Sequence, residues 1–135
     1  MRILISIAIL FILYACGSGS MRIADAADLA LNTVTDSAQP TYELAKAFCS
    51  SREWEIVYSD RTPAQKEAAI HKIRNRCDEI FDIFETIIRR QKDVRRIVDA
   101  SRNGSADAIQ ALNQVREIQS LFGEACKKFE TLKGE

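Results

Sequence analysis

TPAQKEAAIHKIRNRCDEIFDIFETIIRRQKDVRRIVDAS, residues 62–101, decides the fold. Ile70, Ile73, Cys77, Ile80, Phe84, Ile87, Gln91, Val94 and Val98 follow one another at spacings of 3 and 4 without a slip. That is the period of one apolar stripe on an α-helix, and Phe81 and Ile88 widen it. Thr62 is placed to cap, Pro63 suits the first helical position, and Gln65 completes a capping box. Asn103-Gly104 supplies the stop, because both residues tolerate the left-handed conformation. The stripe predicts a long helix that packs against others at a shallow angle, as in a coiled coil. Gln91, its one polar member, either fixes register with a neighbour or marks a wet part of the bundle.

The same spacing recurs downstream. Ala108, Ala111, Val115, Ile118, Phe122, Ala125, Phe129 and Leu132 form a second seam, with Ser105 as the expected cap. Gly123 lies beside it, where a missing Cβ would let a neighbour approach closely. Upstream, Arg22 to Ser37 reads as helical through Ile23, Ala26, Ala27, Ala30 and Val34. Thr41 to Val57 reads as helical through Leu44, Ala45, Phe48, Cys49 and Ile56. Pro40 between them either starts a helix or kinks a continuous one. Ser59-Asp60-Arg61 is the break before Thr62. Short loops make successive helices antiparallel neighbours. The expected fold is all-α: an up-down-up three-helix bundle with an N-terminal helical extension, spanning residues 22–135.

The first residues carry a different signal. Met1-Arg2 precedes an apolar run from Ile3 to Ala15, then Cys16-Gly17-Ser18-Gly19-Ser20. A helix of that run would be ~20 Å long, short of the ~30 Å a membrane span needs. It fits the apolar core of an export signal. Three outcomes are open: lipoprotein processing, cleavage with secretion of a soluble chain, or an uncleaved anchor. Leu13-Tyr14-Ala15-Cys16 resembles the processing site of bacterial lipoproteins in Leu13 and Ala15, while Tyr14 is bulkier than the pattern has it. The resemblance implies a signal peptide over residues 1–15 and a lipid on Cys16. Residues 16–21 then form a flexible tether, and Gly17 implies the outer membrane where there are two. Pro40-Thr41-Tyr42-Glu43-Leu44-Ala45, Cys49, Arg76-Cys77-Asp78, Phe81 and Phe84 resemble small lipoproteins of bacterial and tailed-phage genomes, a class with no assigned activity. For a phage-encoded form, lysis or superinfection exclusion are the roles to expect.

Removing residues 1–15 leaves 120 residues and a formal charge of −1. That is enough for one domain with a core, and it carries no charge excess that would point to nucleic acid. With Cys16 lipidated, Cys49, Cys77 and Cys126 remain, in a compartment that permits disulfides. Counted along antiparallel helices, all three fall near one level, so any pair could bridge. Cys49–Cys77 is the favoured pair, with Cys126 a free thiol; three reduced core cysteines is the alternative. If Cys16 survives unmodified, two disulfides become possible by number. There is no CxxC pair and one histidine, His71, so no metal site is expected. His71 has no Ser or Asp placed to form a triad, and Glu67 and Asp78-Glu79 lie among cations at helical spacing. No phosphate loop, GxSxG or HExxH motif occurs. No cofactor, no small-molecule substrate and no catalysis are expected.

Two features remain as candidate contacts. Arg89, Arg90, Lys92, Arg95, Arg96 and Arg102 face only Asp93 and Asp99 within their stretch, a local charge of +4. Close to the tether, such a patch could lie on anionic headgroups; a solvated face favoured by the helix dipole is the first expectation. Trp54 and Tyr58 lie four apart at the end farthest from the tether. Exposed, they form a partner contact; buried, they cap the core, which is the first expectation. The leading function is a non-enzymatic, lipid-anchored envelope protein that binds another protein. The alternatives are a membrane-surface module built on the basic patch and a secreted effector or inhibitor without lipid.

Overall fold

In a computed structural model, residues 20–104 and 106–135 are described. They form three helices: α1 (Ser20–Val57), α2 (Pro63–Arg102) and α3 (Ala108–Lys133), with no strand among them. Each helix packs against both others. The expected extension is thus the first part of α1 and not a separate helix. α1 starts at Ser20, so Ser20 and Met21, expected in the tether, are helical.

The caps explain the boundaries. Thr62 Oγ1 accepts from the Gln65 N–H, and Gln65 Oε1 accepts from the Thr62 N–H at 3.0 Å, the expected capping box with Pro63 in the first turn. Gly104 leaves α2 at φ +75°, the left-handed region that favours glycine. The expected Ser105 cap falls outside the described residues. The cap of α3 is Asp107, whose carboxylate accepts from the Ile109 N–H at 2.8 Å.

Pro40 lies inside α1 and interrupts its ladder. It sits on the exposed face, and Thr41 Oγ1 donates to the Ser37 carbonyl at 2.7 Å beside it. A loosened ladder on the solvent side is compatible with a long helix curving round a core. Burial inside the bundle therefore carries α1 through a residue that an isolated helix would tolerate poorly.

The core is unequal in its contributions. α1 buries Ala24, Ala27, Ala30, Leu31, Val34, Ala38, Ala45 and Cys49, mostly small residues. α2 supplies bulk through Ile80, Phe84 and Ile87, all essentially inaccessible. α3 alternates small and large, with Ala111, Val115, Ile118, Ala125 and Phe129 buried. Tyr42, part-buried, packs against this core, stacking on Phe84 at 5.6 Å and meeting Phe81 edge-on at 5.7 Å. Leu44, expected on the buried side, is 60% exposed. The neighbouring Ala45 takes the inward position, and one residue turns the helix by ~100°. Gly123 has no neighbouring atom within 4 Å of where a Cβ would stand, so no close approach depends on it.

α3 has 26 residues against 40 in α2. It starts beside the end of α2 and so runs out ~20 Å before the α1–α2 turn. Among the described residues, the far end is a two-helix hairpin.

Candidate functional site: surfaces of the bundle

Residues 1–19, and with them the expected signal, the lipidation position Cys16 and most of the tether, lie outside the described residues. No helix among the described residues is long and apolar enough to cross a membrane.

Of the pairs that the level argument left open, the favoured one is formed. Cys49 and Cys77 are joined, Sγ–Sγ 2.10 Å and Cα–Cα 6.3 Å, stapling α1 to α2. Cys126 is free and half-buried. Burial, helped by the nearby Glu130 charge, raises its pKa and so disfavours the reactive thiolate. Beside the disulfide, Arg74 holds Glu53 with two hydrogen bonds of 3.1 and 2.8 Å, which raises the Arg74 pKa.

The basic stretch does not present itself as a patch. Arg95 donates to Asp28 and Asn32 of α1, and Arg102 reaches Asp25 at 3.3 Å and Asp28 at 3.2 Å. Arg90 reaches Glu117 of α3 at 2.7 Å and Gln114 at 3.1 Å. Arg96 pairs weakly with Asp93 of its own helix at 3.5 Å. Half of the six cations are thus bound to other helices, while Arg89 and Lys92 stay exposed. The neutralising acids lie more than twenty positions away in sequence, which is why the stretch alone reads as strongly basic. The signal was available in Asp25, Asp28 and Asn32, which share one face of α1 at spacings of 3 and 4.

Trp54 and Tyr58 correct the first expectation. They do not cap the core: Trp54 is 57% and Tyr58 77% exposed. Their rings stack on one another at 5.6 Å with an interplanar angle of 12°. The cause is their place on α1: Trp54 is two residues from Ile56 and so points ~160° away from the side that faces the other helices. Leu44 lies on the same outward face of α1, about four turns before Tyr58. The midline joining them, Ala47, Ser51 and Trp54, bears no charge. The outward face of α2 contrasts with it, carrying exposed Asp78, Asp82, Glu85, Arg89 and Lys92.

His71 is exposed, its Nδ1 3.3 Å from the Asn75 side-chain amide. No group of three or more His, Cys, Asp or Glu close enough to hold a metal ion occurs among the described residues. A cleft of about 250 Å³ opens at the end of α3, between Ile56 of α1 and Ile73 of α2, and is rimmed by Arg52, Arg61, Lys72 and Arg76. Sequence reading missed it, because Ile56 and Ile73 read there only as members of apolar seams.

No protein-family model matches the chain, and no curated protein or solved structure matches it.

Proposed function

We propose that this chain is a non-enzymatic, lipid-anchored protein of a bacterial cell envelope that engages a protein partner through the outward face of α1 around Trp54 and Tyr58. The observation that carries the reading is the stacked, exposed aromatic pair. Large rigid aromatics left in water are the usual anchors of protein contacts, because they bury much area at little conformational cost. The lipid anchor comes from Leu13, Ala15 and Cys16 and from the export signal before them. Ion pairing of Arg90, Arg95 and Arg102 with other helices favours this reading over a membrane-surface module, since those cations are already engaged.

Two measurements test it. Mass spectrometry of the mature protein from its native host is expected to find a lipid-modified Cys16 as the first residue; an unmodified or absent Cys16 overturns the anchor. A photocrosslinking residue in place of Tyr58 is expected to give a discrete protein adduct in cells, lost with Trp54→Ala, while the same residue at Asp82 gives none. Equal labelling from both positions, or none from Tyr58, overturns the contact.

A further inference from the structure

Among the described residues, no third helix covers the α1–α2 hairpin near its turn. α3 stops at Lys133. Beyond it, Ile56, Ala69 and Ile73 floor the cleft, and Leu132 closes its lower end. These are the side chains that a third helix would cover, and Ile56 and Ile73 are only part-buried without one.

The rim has a definite sign. Arg52 is paired with Glu55 at 2.8 Å, and Arg76 with Glu135. Arg61 and Lys72 line the same cleft and have no ion-pair partner among the described residues. The rim carries four cations and two carboxylates, and both charges left over are positive. Glu135 shows how the rim is used: a carboxylate just past the end of α3 lies on Arg76 at the mouth of the cleft. A helix continuing the line of α3 would bring further carboxylates to Lys72 and Arg61.

We infer that this cleft docks an acidic amphipathic helix of a partner protein, completing the three-helix packing over the last turns of the α1–α2 hairpin. Apolar residues spaced 3 and 4 apart enter between Ile56 and Ile73, and Asp or Glu on either flank meets Arg61 and Lys72. The ~20 Å left uncovered accommodates roughly a dozen residues. Charge complementarity selects an acidic helix over a basic one. The inference rests on reading the chain as a protein-interaction module. It does not rest on the Trp54 contact, because Trp54 is two residues from both Arg52 and Ile56 and so points ~160° away from them.

The test uses the full-length protein and a labelled synthetic helix with Leu at spacings of 3 and 4 and Glu elsewhere, followed by fluorescence anisotropy. Saturable binding is expected, weakened by salt and reduced on the order of tenfold by Arg61→Glu with Lys72→Glu. Those two residues hold no ion-pair partner among the described residues, so the double variant should keep its circular dichroism; Ala69→Trp, which fills the cleft without changing charge, should also block binding. Trp54→Ala is expected to leave the affinity unchanged, which separates this proposal from the aromatic contact. Equal binding of a peptide with Lys in place of Glu, or of a scrambled peptide, overturns it. So does full competition by acetate or inorganic phosphate at similar concentration, which would reduce the cleft to a small-anion site. Dimerisation in sedimentation that the double variant abolishes would give the cleft to a second copy and overturn it as well.

Discussion

Gln91 stands where the seam of α2 calls for an apolar residue, between Ile87 and Val94, and its Nε2 is buried with no hydrogen-bond partner among the described residues. A buried donor without an acceptor costs about 1–3 kcal/mol. Gln91→Leu is therefore expected to stabilise the bundle by about 1–2 kcal/mol in urea unfolding; loss of cooperativity would instead show that the amide fixes register. Tyr42 has the opposite character, a polar tip well used. Burial, and then its hydrogen bond to Glu85 at 2.8 Å, push its pKa up to about 12 from 10.0. The folded chain thus keeps a proton that the unfolded chain releases. This contribution is complete below pH 10 and is lost as pH rises through about 12. Tyr42→Phe should flatten that part of the stability–pH curve between these values; an unchanged slope would show that the phenol is not held. Both effects needed the neighbours. The sequence marks Gln91 as an anomaly but cannot show that its amide goes unpaired, and Tyr42 meets the core through Phe81 and Phe84, which only the fold brings to it.

At the scale of the element, the seams of α2 and α3 were legible because each alternates apolar spacings of 3 and 4 over many turns, and only a helix puts such residues on one side. α1 was harder to read. Its buried side is built largely of alanine, and the sequence offers Leu44 beside Ala45 with no indication that the smaller residue turns inward. Packing against both other helices decides that, with Ala45 fully buried and Leu44 left outside. The same reasoning applies to Gly123 on α3. No neighbour occupies the space where its Cβ would stand, so the glycine weakens the helix without serving a contact. Gly123→Ala is expected to raise stability by roughly 1 kcal/mol, read as a higher melting temperature; a fall would mean that α3 packs closer than its backbone indicates. The disulfide binds elements and not residues. It closes a loop across a sequence separation of 28, from Cys49 to Cys77. Replacing both cysteines by alanine should cost about 2–4 kcal/mol, most of it through the unfolded chain.

For the whole molecule, the decisive relation is between charges that the sequence keeps far apart. Asp25 and Asp28 open α1, Arg95 and Arg102 close α2, and the bundle brings them together at the end nearest residue 20. Asp28 is the centre of this cluster: it holds both arginines and its side chain is 21% exposed, so its pairs are less screened than surface ones. The cluster ties the start of α1 to the bundle and at the same time spends the cations that would otherwise face a membrane. Removing the acids should separate these two effects. Asp25→Asn with Asp28→Asn is expected to loosen the first turns of α1, seen as faster amide exchange there, and to free Arg95 and Arg102. The variant should then bind vesicles containing anionic phospholipid more tightly than the parent, with the added binding abolished by salt, because freed surface cations each contribute ~1 kcal/mol at a negative membrane. If the parent already binds such vesicles as well as the variant, the arginines reach lipid despite their partners. The bundle would then be a membrane-surface module, with Trp54 and the open cleft facing away from the membrane only by geometry.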